Sequence, residues 1–340
     1  MTARTNRQVL LASRPEGMVE PSNFELRSSP VPEPAEGEFL VRNLYASIDP
    51  AMRGWMTDAP SYIPPVGIGE VMRAACTAQV VESRHPDFEP GDIVVGAFGW
   101  QDYAISNGSG AMPVTKVPEG VPPTWPVGVL GLTSLTAYFG LEEIGRPEPG
   151  DTVVVSGAAG ATGSVVGQIA KIRGCRAVGI AGGPAKCEWL TDELSFDAAI
   201  DYRGEDVSRR LREICPDGIN VFWDNVGGPI LEAGLSNLAR GARVVLCGAV
   251  STYNDARPSG PANYMNLLVR RARMEGFVVF DYLSRTEEAM AELVPWIAEG
   301  RIHHREDIRE GLETAPEVLR GLFAGDNTGK LLLKIAEEGV

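Results

Sequence analysis

Between Glu38 and about Val117 the apolar residues fall in short runs, Glu38-Phe-Leu-Val-Arg42, Ala78-Gln-Val-Val-Glu82 and Asp92-Ile-Val-Val-Gly96, in a stretch broken by Gly and Pro. Runs this short, rich in β-branched residues, predict a compact and mostly β unit. The turn Glu89-Pro90-Gly91-Asp92 leads into the last of them with Pro and Gly where a tight reversal needs them. A proline-rich stretch with Pro113, Pro118, Pro122, Pro123 and Pro126 follows, and beyond it the pattern changes.

From Asp151 onward, continuously apolar runs alternate with segments of helical periodicity. Strands are expected at 152–156, 177–180, 198–201, 221–224 and 242–247, and helices at 164–173, 186–194, 207–215 and 231–238. A last strand of the same sheet is expected at 274–280. Strand-helix alternation with short connections means an α/β fold, a doubly wound parallel sheet whose strands are apolar throughout because helices cover both faces. The remainder, 286–340, holds two helical patterns and a strand-like run at 331–335, and periodicity alone does not assign it to either unit.

The sharpest local feature is Val153-Val-Val-Ser-Gly157-Ala158-Ala159-Gly160-Ala161-Thr162-Gly163-Ser164-Val165-Val166. A buried strand runs through a turn of small residues into a helix, and Ala158-x-Gly160-x-x-Gly163 is the dinucleotide fingerprint with its first Gly replaced by Ala. Gly160 lets the backbone approach a pyrophosphate, Gly163 lets helix and strand pack closely, and the helix start offers N–H groups to an anion. An NAD enzyme usually ends its next strand with Asp or Glu on the adenosine ribose. Here the segment reads Gly179-Ile-Ala-Gly182-Gly183-Pro184-Ala185-Lys186, with no carboxylate to repel a 2′-phosphate and a lysine to attract one. NADP(H) is therefore the expected cofactor.

A chain of 340 residues exceeds what one core ordinarily supports, so two domains are expected, with the cleft between them as the default ligand site. Lys and Arg total 31 against 45 Asp and Glu, a net charge of −14. That balance disfavours nucleic acid and anionic membranes as partners, yet allows one phosphorylated cofactor held by a local cradle. Cys76, Cys175, Cys187, Cys215 and Cys247 form no Cys-x-x-Cys pair, which argues against a disulfide framework or zinc ribbon and fits reduced thiols in the cytoplasm. Within Met1 to Leu11 the only apolar run is Val9-Leu10-Leu11, so no targeting segment or membrane span is read.

The chemistry follows partly from what is missing. His85, His303 and His304 are the only histidines, none in a spacing suited to a catalytic zinc, and no metal is expected. Without one, carbonyl reduction needs a strong acid at the oxygen. Hydride addition to the β-carbon of a conjugated double bond asks less, because the resulting enolate needs only hydrogen bonds and a proton. Tyr253, in Cys247-Gly-Ala-Val-Ser-Thr-Tyr253 just past a strand's carboxyl end, is the candidate catalytic group, and Tyr62 in Ser61-Tyr-Ile-Pro-Pro is a second candidate near the substrate.

These segments, together with Asn6-Arg-Gln-Val-Leu-Leu-Ala-Ser-Arg-Pro15, Ile48-Asp-Pro-Ala-Met-Arg-Gly54, Leu135-Thr-Ala-Tyr-Phe-Gly140, Asp224-Asn-Val-Gly-Gly228 and Gly325-Asp-Asn-Thr-Gly-Lys330, give a likeness along nearly the whole chain. The chain resembles the medium-chain dehydrogenase/reductase superfamily, in its zinc-free branch of prostaglandin reductases, alkenal double-bond reductases and bacterial curcumin reductases. The resemblance implies a GroES-like catalytic domain at 1–125, a Rossmann NADP-binding domain at 126–285, and a C-terminal segment, 286–340, returning to the first. It implies cofactor contacts at Ala159, Gly160, Ala161, Thr162 and Gly163, at Lys186 and Tyr202 on the 2′-phosphate side, and at Asn225. It also implies contacts at Cys247, Gly248, Ala249, Val250, Ser251, Thr252 and Tyr253, at Phe277, Val278 and Val279, and at Asn327. Met52 and Arg53 join Tyr62 as substrate-side candidates. The activity implied is NADPH-dependent reduction of the C=C bond of an α,β-unsaturated ketone or aldehyde by a homodimer. A quinone reductase and a non-catalytic NADPH-binding protein are the alternatives. Leu132-Thr-Ser134, Ala51 and Val269 stand where relatives carry Met-Pro-Gly, Tyr and a pocket tyrosine, so the substrate pocket is altered.

Overall fold

The computed structural model describes residues 4–110 and 112–339. The chain splits into two units, one of Met1–Gly128, Glu306–Asn327 and Leu331–Val340, the other of Val129–Arg305 and Thr328–Lys330.

In the first unit, β1 (Thr5–Leu11) pairs antiparallel with β2 (Phe24–Pro30). A larger sheet is built on β3 (Phe39–Ser47), which pairs antiparallel with β4 (Cys76–Ser83) and, over its first half, with β6 (Tyr103–Ser106). Beyond β4 come β5 (Ile93–Gly96) and β7 (Thr115–Lys116). The Glu89 turn closes as its residues require, with Asp92 N–H donating to the Glu89 carbonyl at 3.0 Å and Glu89 N–H to Asp92 Oδ2 at 2.8 Å. Phe39, Val41, Val80, Val94 and Trp100 are buried in one core, which also takes Met52 from the short helix α1 (Met52–Trp55).

The second unit is a parallel sheet of β8 (Thr152–Ser156), β9 (Arg176–Ala181), β10 (Ala198–Asp201), β11 (Ile219–Asp224), β12 (Leu238–Leu246) and β13 (Arg273–Gly276). Its spatial order is β10-β9-β8-β11-β12-β13, so the winding reverses between β8 and β11. That reversal opens the crevice in which doubly wound sheets bind ligands. Val153, Val154 and Val155 of the central strand are wholly buried. Preceding β8 is α2 (Leu132–Phe139), and α3 (Ala161–Ile172), α4 (Pro184–Asp192), α5 (Val207–Ile214), α6 (Gly228–Ser236) and α7 (Asn266–Arg270) supply the crossovers. No side chain caps the start of α3. Buried Val165, Val166 and Ile169 fix it to the sheet instead, at about 1.5–3 kcal/mol each.

Two expectations need correction. The last parallel strand is Arg273–Gly276 and does not run on to Phe280; a 3-10 turn at Val279–Arg285 replaces its second half. Phe277 turns aside because its ring packs edge-on to Trp223, centroids 5.8 Å apart, and would sit 2.4 Å from a Cβ on Gly140. The tail also divides. Helix α8 (Thr286–Ala298) belongs to the second unit, whereas β14 (Glu306–Glu310), α9 (Ala315–Ala324) and most of β15 (Lys330–Lys334) belong to the first, where β15 pairs with β3.

Candidate active site

At the carboxyl end of β8 the chain enters the glycine loop. Gly160 N–H donates to the Gly157 carbonyl at 3.0 Å, and the first bond within α3 runs from Ser164 N–H to the Gly160 carbonyl at 3.0 Å. The N–H groups of Ala161, Thr162 and Gly163 therefore have no acceptor within the helix and form its positive end. Gly163 must be glycine, because a Cβ there would lie 2.4 Å from the Gly157 carbonyl oxygen. The loop is held from outside by the strap 328–330. Gly329 forms a parallel bridge with Gly160 and donates its N–H to the Ala159 carbonyl at 2.9 Å. Its φ of +75° and an Arg305 carbonyl 2.2 Å from the Cβ position exclude any side chain there.

Asp224, fully buried at the end of β11, ties neighbouring loops together. It accepts Ser156 Oγ at 2.7 Å, Val226 N–H at 3.1 Å and Gly227 N–H at 3.0 Å on each oxygen. Burial pushes its carboxyl above the usual carboxylate range, an effect these donors oppose. Asn225 bridges the two strand ends. Its Nδ2 donates to the Ser156 carbonyl at 2.7 Å, and its Oδ1 accepts Trp223 Nε1–H at 3.0 Å.

The segment after β12 is clipped onto this pair. Cys247 and Gly248 donate their N–H groups to the Asp224 carbonyl at 2.9 and 3.1 Å, Val250 to Asn225 at 3.1 Å and Ser251 to Val226 at 3.0 Å. Ser251 Oγ adds a second bond to the Val226 carbonyl, and Thr252 Oγ1 donates to Ala249. The Tyr253 hydroxyl folds back over the segment, where it accepts Ala249 N–H at 3.3 Å. Burial, reinforced by the Asp224 charge, pushes the Cys247 thiol up to about 12.

A third cluster stands at the end of β9. Gly183 N–H donates to Asp201 Oδ1 at 2.7 Å and begins α4, with half-buried Lys186 in its first turn. The Tyr202 hydroxyl lies 2.9 Å from where a Cβ on Gly182 would be.

The second unit thus brings together Ala159 to Gly163, Asn225 and Cys247 to Tyr253 around the strand ends, with Lys186 and Tyr202 at the β9 end. Phe277, Val278 and Val279 are half-buried where β13 gives way to the 3-10 turn. Asn327 immediately precedes the 328–330 strap. In the first unit, the substrate-side candidates separate. Tyr62 is exposed, its hydroxyl 3.4 Å from Trp55 Nε1. Met52 is enclosed in the core, and Arg53 is buried with its guanidinium on the Pro15 and Gly17 carbonyls at 3.2 and 3.1 Å. Burial lowers the Arg53 pKa. Both side chains are part of the first unit's interior. Ser156, Asp224, Asp201 and Gly329 went unread as site residues, since each acts through partners distant in sequence.

The family model described as "N-terminal domain of oxidoreductase" matches residues 7–114, and that described as "Zinc-binding dehydrogenase" matches residues 161–299. The zinc of that second description does not fit: among the described residues, no group of three or more His, Cys, Asp or Glu could hold a metal ion. The chain is 45% identical over 337 residues to an NADPH-dependent curcumin reductase of Escherichia coli K12, covering 97% of each chain. It is 38% identical to an NADP(+)-dependent 2-alkenal reductase of Nicotiana tabacum, covering 98% of each. Among solved structures, CurA of Vibrio vulnificus in complex with NADPH superposes with a TM-score of 0.92 at 45% identity, over 97% of this chain and 99% of that one. The chain belongs to the medium-chain dehydrogenase/reductase superfamily, in the branch of curcumin, alkenal and prostaglandin reductases.

Proposed function

We propose that this protein reduces the carbon–carbon double bond of α,β-unsaturated ketones and aldehydes with NADPH. The observation that carries the reading is the set of loops at the β8, β9, β11 and β12 ends, in which the expected ribose-binding carboxylate is replaced by Gly182-Gly183 with Lys186 and Tyr202 alongside. NADP(H) is the cofactor, and when bound it supplies the hydride. Ala161 to Gly163 offer N–H groups to the pyrophosphate, and Asn225 with the 247–253 segment shapes the nicotinamide end. Hydride at the β-carbon leaves an enolate, which a hydroxyl donor stabilises until the α-carbon takes a proton; Tyr253 is the side chain assigned to that work.

Purified protein should oxidise NADPH with 2-alkenals and enones and release the saturated carbonyl, identified by mass spectrometry. A deuterium on the nicotinamide C4 should appear at the β-carbon. Turnover restricted to quinones, or an allylic alcohol as product, would overturn the assignment.

Two finer readings go with it. The edge position of β13 and the exposed Tyr264, Met265, Leu268 and Val269 on and beside α7 support pairing of two copies. Light scattering at micromolar concentration should give twice the chain mass, and a monomer would refute it. All five cysteines are free, in keeping with the reducing cytoplasm.

A further inference from the structure

We propose that Arg203 is a second cationic reader of the cofactor's 2′-phosphate and a main source of the preference for NADP(H) over NAD(H). This rests on the reading that NADP(H) binds along the strand ends of the second unit. Strand β10 runs parallel to β9 with Asp201 beside Ala181, and Tyr202 N–H donates to the Ala181 carbonyl at 3.1 Å. The residues that follow Asp201 are thereby laid against those that follow Ala181, which is where a dinucleotide's adenosine ribose is read. Arg203 Nε stands 3.0 Å from the Cβ position of Gly182, and the Tyr202 hydroxyl stands 2.9 Å from the same point. A phenol and a guanidinium thus pack directly against Gly182, where only the absence of a side chain lets them stand.

The two nearest carboxylates are engaged by partners of their own. Asp201 Oδ1 is taken by Gly183 N–H at 2.7 Å and Arg203 N–H at 3.0 Å, so one carboxylate oxygen fixes both the glycine turn and the arginine backbone. Glu205 accepts Asp201 N–H on one oxygen and pairs with Arg210 through the other at 2.6 Å. The Arg203 guanidinium lies over the Tyr202 ring, 5.9 Å from its centroid. A planar fork of donors matches phosphate in a way an ammonium does not. In a chain of net charge −14, selectivity for a phosphate needs such a concentrated positive site.

The test is direct binding, followed by calorimetry with 2′,5′-ADP, 5′-AMP, NADPH and NADH. Arg203→Gln should weaken 2′,5′-ADP and NADPH about tenfold or more and leave 5′-AMP and NADH within about twofold. Arg203→Lys should recover part of the loss, and Lys186→Gln combined with Arg203→Gln should lose more than either alone. Equal losses for phosphorylated and unphosphorylated ligands, or none, would overturn the role of Arg203. If the unaltered protein failed to prefer 2′,5′-ADP over 5′-AMP, the cofactor reading itself would fall. If Lys186→Gln were selective and Arg203→Gln silent, only this inference would fall.

Discussion

Adding one methyl group at Gly163 or at Gly160, three residues apart in the same loop, should have opposite consequences. At Gly163 the new Cβ would lie 2.4 Å from the Gly157 carbonyl oxygen and 2.9 Å from Ala158 Cα, both rigid backbone. Ordinary contact begins near 3.4 Å, so the start of α3 must retreat about 1 Å from the loop. Overpacking of this kind costs about 1–3 kcal/mol. For a unit of this size that lowers Tm by roughly 2–4 °C per kcal/mol. At Gly160 the Cβ would meet only the Gly157 oxygen, at 3.3 Å, and its φ of −85° and ψ of 173° suit alanine. The gain of about 0.4–1 kcal/mol from a stiffer unfolded chain is offset by alanine's poor N-cap quality. The fold should scarcely notice. The methyl would, however, stand between the loop and an approaching pyrophosphate, and NADPH should bind about tenfold more weakly or worse, a loss of at least about 1.4 kcal/mol. Thermal denaturation and fluorescence titration read the two effects separately. A Gly163→Ala protein as stable as its parent, or a Gly160→Ala protein with undiminished NADPH affinity, would refute the geometry.

Tyr253→Phe should lower enone turnover by about one to two orders of magnitude with Tm nearly unchanged, since only the hydroxyl over Ala249 N–H is removed; wild-type turnover would make Tyr253 a loop residue alone. Prolonged dialysis against a chelator should leave the rate unaltered, and loss of activity restored by zinc would contradict the absence of a ligand cluster among the described residues. The Cys247 thiol, pushed up to about 12, stays protonated at pH 8, so iodoacetamide should modify it far more slowly in the native protein than in urea. Rapid native labelling, read by peptide mass spectrometry, would show the segment after β12 to be open.

Where residues bury both faces of a strand, or one stripe of a helix, the chain announces its structure locally. Thr152–Ser156 and Ala161–Ile172 are such cases, and every strand of the parallel sheet was legible in type. The pair Thr5–Leu11 and Phe24–Pro30 was not, because Thr-Asn-Arg-Gln and Arg-Ser-Ser are polar segments held in strands by pairing with each other. Asn6 is 1% exposed yet polar, satisfied by the Tyr103 backbone, whose N–H reaches its Oδ1 at 2.9 Å and whose carbonyl accepts its Nδ2 at 3.0 Å. The 274–280 run misled for the converse reason. The strand stops at Gly276, and Phe277 packs on Trp223 instead of continuing it.

The glycine loop could be read from sequence because its turn and its outward N–H groups are set by adjacent residues. The couplings that hold it could not. Ser156 and Asp224 are separated by 68 positions, and no periodicity foretells that their side chains meet at 2.7 Å. A buried carboxylate is costly unless hydrogen-bonded, so Asp224 is tolerable only while Ser156, Val226 and Gly227 all point at it. Its backbone carbonyl in turn fixes the start of the 247–253 segment. Displacing one strand end therefore breaks bonds at the other two, and the loops at the β8, β11 and β12 ends hold their shape as one cooperative unit. On the proposed reading these loops hold the nicotinamide, and their coupling is then a physical reason for that end to be formed before a cofactor arrives, with binding energy left for orientation in place of loop ordering.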